Sequence, residues 1–147
     1  MGCAINDNQL DTLPLAWATH QIGGLQSPAN AYYSAAEVSI QLEDSGAKCI
    51  FTCVPLLKTT LKATEKAGIP PNRIYILETP DILSGDAEAE RFTTVSDLVE
   101  RGKKLPEMES INWQKGDGAR KTAFLCYSSD AYGLPACPQF NPDIKAR

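Results

Sequence analysis

The chain has 147 residues, 43% of them apolar and 22% charged, which is the composition of one ordinary globular domain rather than of a disordered or membrane-embedded chain. Fourteen Lys plus Arg against eighteen Asp plus Glu leave a net charge of -4, and no basic run is long enough to neutralise several phosphates, which argues against nucleic acid as a partner. No apolar run approaches the roughly 20 residues of a membrane span, and the start lacks the layout of a signal peptide, so a cytoplasmic location is expected.

Cys3-Ala4-Ile5 is a short apolar start and the first strand of the pattern. Asp11 and Thr12 offer capping side chains and Pro14 suits a first helical turn, so a helix is predicted from about Leu13 to Ile22, stopped by Gly23-Gly24. Leu25 to Pro28 reads as a short strand whose Pro bars it from a central ladder. Ser34 with Glu37 three residues on is a capping box; Ala35, Val38 and Leu42 then recur at helical spacing until Gly46 supplies a left-handed stop. Ala47 to Cys53 is a mostly apolar run, the pattern of a strand covered on both faces. Pro55 opens the next helix, with Leu57, Leu61 and Thr64 on one face and Gly68 closing it.

Ile74 to Leu77 gives another strand, and Glu78 to Arg91 reads as a solvated acidic loop without the pocket that paired catalytic carboxylates need. Thr94 caps a helix through Glu100, ended by Gly102. Leu105 to Gly118 reads as irregular, and Ala119 to Tyr127 as a final buried strand. Strand and helix alternate throughout, which predicts an α/β fold: a mostly parallel sheet with crossover helices on both faces. Ligands of such sheets bind beyond the carboxyl ends of the strands, which directs attention to the segment after Tyr127.

Other candidates carry less. The five Cys, Cys3, Cys49, Cys53, Cys126 and Cys137, sit mostly among apolar residues and read as small core side chains. Cys49 and Cys53, four apart in a strand, stand about 13 Å apart and cannot share a metal or a bridge. His20 lies on an apolar-spaced helix and reads as a packing residue without a catalytic partner set.

Ser128-Ser129-Asp130-Ala131-Tyr132-Gly133-Leu134-Pro135 follows the last strand, where backbone N–H groups and hydroxyls can converge on an anion. Asp11-Thr12-Leu13-Pro14-Leu15-Ala16-Trp17-Ala18-Thr19-His20, Gly23-Gly24, Ser27-Pro28-Ala29-Asn30 and Tyr33-Ser34-Ala35-Ala36-Glu37 precede it. Asp44-Ser45-Gly46-Ala47-Lys48, Phe51-Thr52-Cys53-Val54-Pro55, Ala67-Gly68-Ile69-Pro70 and Thr122-Ala123-Phe124-Leu125-Cys126-Tyr127 continue the series. In order and spacing these words resemble the early part of fungal acyl-CoA synthetases of the coumarate-CoA ligase and luciferase type, in the AMP-dependent synthetase/ligase superfamily. The resemblance runs nearly to Pro135. It implies a partial AMP-binding domain over 1–135, part of an adenylating-enzyme N-terminal domain, followed by an unrelated tail over 136–147.

Members of that family activate a carboxylic acid with ATP and Mg as an acyl-adenylate and pass the acyl group to CoA. Their phosphate loop reads Ser-Ser-Gly-Thr-Ser/Thr-Gly-Leu/Pro-Pro-Lys-Gly. Ser128, Ser129 and Gly133, with Leu134 and Pro135, match it and are the cofactor-binding remnant that the resemblance implies. Asp130, Ala131, Tyr132, Ala136 and Cys137 stand where Gly, Thr, Ser or Thr, Lys and Gly are expected. The family's magnesium-binding acid, adenine and acyl pockets and C-terminal domain lie downstream of this loop and have no counterpart here. The resemblance therefore implies a truncated acyl-CoA-synthetase-like chain, with no catalytic residue or bound cofactor of its own, unable to complete the reaction alone. Two alternatives stand beside it. One is a carboxylate-CoA ligase of a fungal secondary-metabolite pathway represented by a split gene; the other is a non-catalytic module pairing with itself or a full-length relative. A peroxisomal location stays open for the family.

Overall fold

Local signals set most of the helix ends. Ser34 Oγ accepts from the Glu37 N–H at 3.4 Å while Glu37 Oε2 accepts from the Ser34 N–H at 2.8 Å, the reciprocal capping box expected there. Thr94 and Asp97 form a second box, each backbone N–H donating to the other's side chain at 3.0 Å. Gly46 and Gly68, with φ of 62° and 70°, close the two helices that precede them in left-handed geometry.

The computed structural model describes residues 11–77, 88–109, 111–112 and 114–127, and the backbone of 2–5, 128–129, 135–136 and 139–140. In chain order these form β1 (Gly2–Ile5), α1 (Thr12–Gln21), β2 (Gln26–Ala29), α2 (Ala35–Ser45), β3 (Cys49–Thr52), α3 (Leu57–Ala67), β4 (Ile74–Ile76), β5 (Thr93–Thr94), α4 (Val95–Gly102), α5 (Asp117–Arg120), β6 (Phe124–Leu125), β7 (Ser128–Ser129), β8 (Pro135–Ala136) and β9 (Gln139–Phe140). Seven strands make one sheet in the order β5-β4-β3-β1-β2-β6-β9. All its pairings are parallel except the last, where Phe124 and Leu125 oppose Phe140 and Gln139. The mostly parallel α/β sheet is thus the one expected from the alternation of elements.

One face of the sheet is closed by α2 and α3. Val38, Leu42, Ala47, Ile50, Ala63 and Ile74 form its core, with Tyr33, Leu56, Leu61 and Phe92 packed at the margin. Thr52 and Thr60 bring hydroxyls into this face and satisfy each other at 2.9 Å, as buried polar groups must. On the other face Phe51 and Tyr75 stack with centroids 5.1 Å apart, and both remain half-buried.

Four expectations change. Pro28 sits inside a central strand, paired with β1 on one side and followed by β6 on the other. The Gln26 N–H donates to Ala123 O on the β6 side at 3.0 Å. Strand N–H groups alternate sides, so the donor missing at Pro28 also faces β6, where the ladder has already ended. The predicted strand over Ala119 to Tyr127 shrinks to Phe124–Leu125, both half-buried, because Ala119 and Arg120 belong to the single turn α5. That turn also ends the irregular stretch read over Leu105 to Gly118. Cys126 is exposed rather than part of the core, while Cys53 is buried and Cys49 half-buried. Residues 78–87 of the acidic loop lie outside the described residues.

Candidate functional site

The strand that leads into the phosphate-loop position is held by contacts from distant parts of the chain. His20, on α1, brings Nε2 within 3.1 Å of Ala123 O and sets its ring edge-on to Phe124 with centroids 4.7 Å apart. Ser27 Oγ donates to Leu125 O at 3.0 Å. Behind Ser27, the fully buried Gln41 of α2 donates through Nε2 to Ser27 Oγ at 2.7 Å and to Pro28 O at 3.1 Å. Tyr127 donates to Asp44 Oδ2 at 2.5 Å. The carbonyls gripped here belong to β6, to Ala123 just before it and to the neighbouring β2, so these side chains fix where the chain leaves the sheet.

His20 is therefore a packing and anchoring residue, in keeping with its place on an apolar helix. Ser27, Asp44 and Tyr127 entered the sequence reading as parts of the family-like segments, and Gln41 not at all; none of their contacts was legible there. Their partners lie 98, 14 and 83 residues away, beyond the reach of any local spacing rule. Gln41 Oε1 and Gln26 Oε1 are buried without a hydrogen-bond partner among the described residues.

Beyond Tyr127, Ser128 and Ser129 form β7, paired antiparallel with Ala136 and Pro135 of β8. The two serines are thus consecutive on a short strand whose antiparallel partner, β8, lies against α2. Gly133, like Asp130, Ala131, Tyr132, Leu134 and Cys137, lies outside the described residues. Pro135 and Ala136 are brought opposite the serines.

Carboxylate electrostatics elsewhere are structural. Hydrogen bonds from the Ser34 side chain and backbone hold Glu37 below the usual carboxylate range. Those from the Thr94 backbone and side chain do the same for Asp97. Burial pushes the Cys49 thiol up, away from the reactive thiolate. No group of three or more metal-ligating side chains occurs among the described residues, and no described helix is long and apolar enough to cross a membrane.

No protein-family model matches the chain. Curated relatives do. It is 31% identical over 128 residues to the acyl-CoA ligase cm3C of Cordyceps militaris, covering 85% of this chain and 20% of that protein. It is 34% identical over 127 residues to the acyl-CoA ligase frbB of Dothideomycetidae sp., covering 86% and 23%. The chain thus spans about a fifth of the length of the curated relatives it matches. Among solved structures it superposes on the adenylation domain of a carboxylate reductase from Mycobacterium chelonae with a TM-score of 0.79 at 14% identity, covering 95% of this chain and 23% of that one. The adenylation domain of the carboxylic acid reductase from Segniliparus rugosus, solved with AMP and a co-purified carboxylic acid, gives 0.78 at 16% identity, covering 95% and 24%.

Proposed function

Since the chain belongs with the fungal acyl-CoA ligases, as a segment of the N-terminal domain of adenylate-forming enzymes, we propose that it provides the scaffold of their phosphate loop without completing acyl adenylation or thioester formation alone. The loop carries this reading. Ser128, Ser129, Gly133, Leu134 and Pro135 keep its outline, and the serine hydroxyls with the Gly133 backbone are the groups that would meet nucleotide phosphates. Asp130, Ala131, Tyr132, Ala136 and Cys137 remove the flexible Gly, the hydroxyls and the Lys.

The charge at Asp130 opposes binding as well. A carboxylate about 4 Å from a phosphate oxygen costs about 4 kcal/mol at an effective dielectric of about 20. In the intact family ATP and Mg serve the first step and CoA the second; this reading assigns none of them to the present chain by itself. The relatives' names as ligases favour it over a dedicated interaction module.

The test is a repaired loop, with Asp130→Gly, Ala131→Thr, Tyr132→Ser, Ala136→Lys and Cys137→Gly combined. Isothermal titration with MgATP is expected to show at least tenfold tighter binding than the unaltered chain, while ATP-pyrophosphate exchange stays at background. Exchange appearing on loop repair alone would show that the chain already holds the rest of the machinery, and would overturn the proposal.

A further inference from the structure

Two contacts reach from one face of α2 to the chain that carries the serines. Gln41 and Asp44, three apart on that helix, are neighbours on its surface. Gln41 is fully buried and acts on Leu125 O through Ser27. Asp44 is exposed and accepts from the Tyr127 hydroxyl at 2.5 Å, the short length of a hydroxyl on a carboxylate. Tyr127 immediately precedes Ser128. The pairs Phe124–Phe140, Leu125–Gln139, Ser128–Ala136 and Ser129–Pro135 keep one register across β6–β9 and β7–β8, each step forward on one strand being a step back on its partner. The outgoing and returning segments are therefore placed together, and β8 on the returning one also lies against α2.

We propose that Asp44 is a positioning residue: by holding the Tyr127 hydroxyl it ties α2 to the chain at the point where Ser128 and Ser129 begin, and so sets where their backbone stands. Gln41 and Ser27 act two residues earlier, on a carbonyl of the sheet itself. Asp44 acts past the last rung that β6 shares with β2, where that ladder no longer holds the chain. Tyr127 is half-buried and neither it nor Asp44 belongs to the core. Losing the bond should therefore loosen this segment without weakening the fold, since local openings can occur well below the cost of global unfolding. That the serines meet phosphate rests on the function proposed above; the tie between Asp44 and Tyr127 does not.

Amide hydrogen exchange on the full chain and its variants tests this. Asp44→Ala and Tyr127→Phe should each speed exchange in the β7–β8 ladder by about threefold, the double variant no further than either, and Asp44→Asn, which keeps an acceptor, by less. The core amides of Ile50 and Ala63 should not move, and Glu43→Ala, which removes the neighbouring exposed carboxylate, should change nothing. In the chain with the repaired loop, Asp44→Ala and Tyr127→Phe should weaken MgATP binding by about threefold, and Glu43→Ala should not. A repaired chain that never binds MgATP would count against the loop reading alone, and exchange would then decide the positioning role by itself. Unchanged exchange in the β7–β8 ladder, effects that add in the double variant, core amides that speed up in step, or an MgATP affinity indifferent to Asp44 would each overturn the proposal.

Discussion

Thr52 and Thr60 meet in the core with hydroxyl oxygens 2.9 Å apart, and Thr60 also donates to Leu56 O at 3.0 Å. Its hydrogen being used there, Thr60 accepts from Thr52. The two positions are therefore unequal. Thr60→Val leaves the Thr52 hydroxyl buried with only a 3.5 Å approach to Cys53 O, and should cost about 1–3 kcal/mol in urea unfolding. Thr52→Val leaves the Thr60–Leu56 bond intact and should cost less. The double variant should be more stable than the sum of the two predicts, because no orphaned hydroxyl remains; strict additivity would contradict this account. At this scale the sequence was legible where partners lie a turn apart, as with Ser34 and Glu37. It was silent on Ser27 and Gln41, whose contacts exist only once β2, α2 and β6 are brought together.

Helix α2 shows the same division between local and distant causes. Its start is fixed by the capping box, its end by Gly46, and Val38 and Leu42 on one face bury it against Ile50 of β3. Because Ser34 holds the folded-state pKa of Glu37 below its ordinary value of 4.5, the carboxylate contributes stability that is present above that value. The contribution is lost as the pH falls through the depressed folded value. Stability of the unaltered chain should therefore fall more steeply below pH 4.5 than that of Glu37→Gln, measured by circular dichroism across an acid series. Parallel curves for the two proteins would contradict it. Other elements escaped such local reading. Pro28 argued against a central strand, but its missing donor falls beyond the last rung shared with β6, and Gln41 takes up the Pro28 carbonyl instead. β6 proved shorter than its apolar run, since Ala119 and Arg120 were drawn into a helical turn.

For the whole molecule, alternation of strand and helix signals sufficed for a parallel sheet, because parallel neighbours need a crossover between them. Strand order is a different matter: β1 lies between β2 and β3, and nothing in the spacing of apolar runs specifies that. The antiparallel strand β9, from a tail that matched no family word, is likewise a product of the assembled edge beside β6. The fold is that of adenylating enzymes, while in the segment proposed as their phosphate loop Asp130 and Ala136 stand where a Gly and the Lys are expected. ATP-pyrophosphate exchange by the unaltered 147-residue chain, with Mg and a panel of aliphatic and aromatic acids, tests that combination most directly. The account predicts exchange indistinguishable from the no-enzyme background for every acid. Acid-dependent exchange well above that background, retained through repurification, would contradict it.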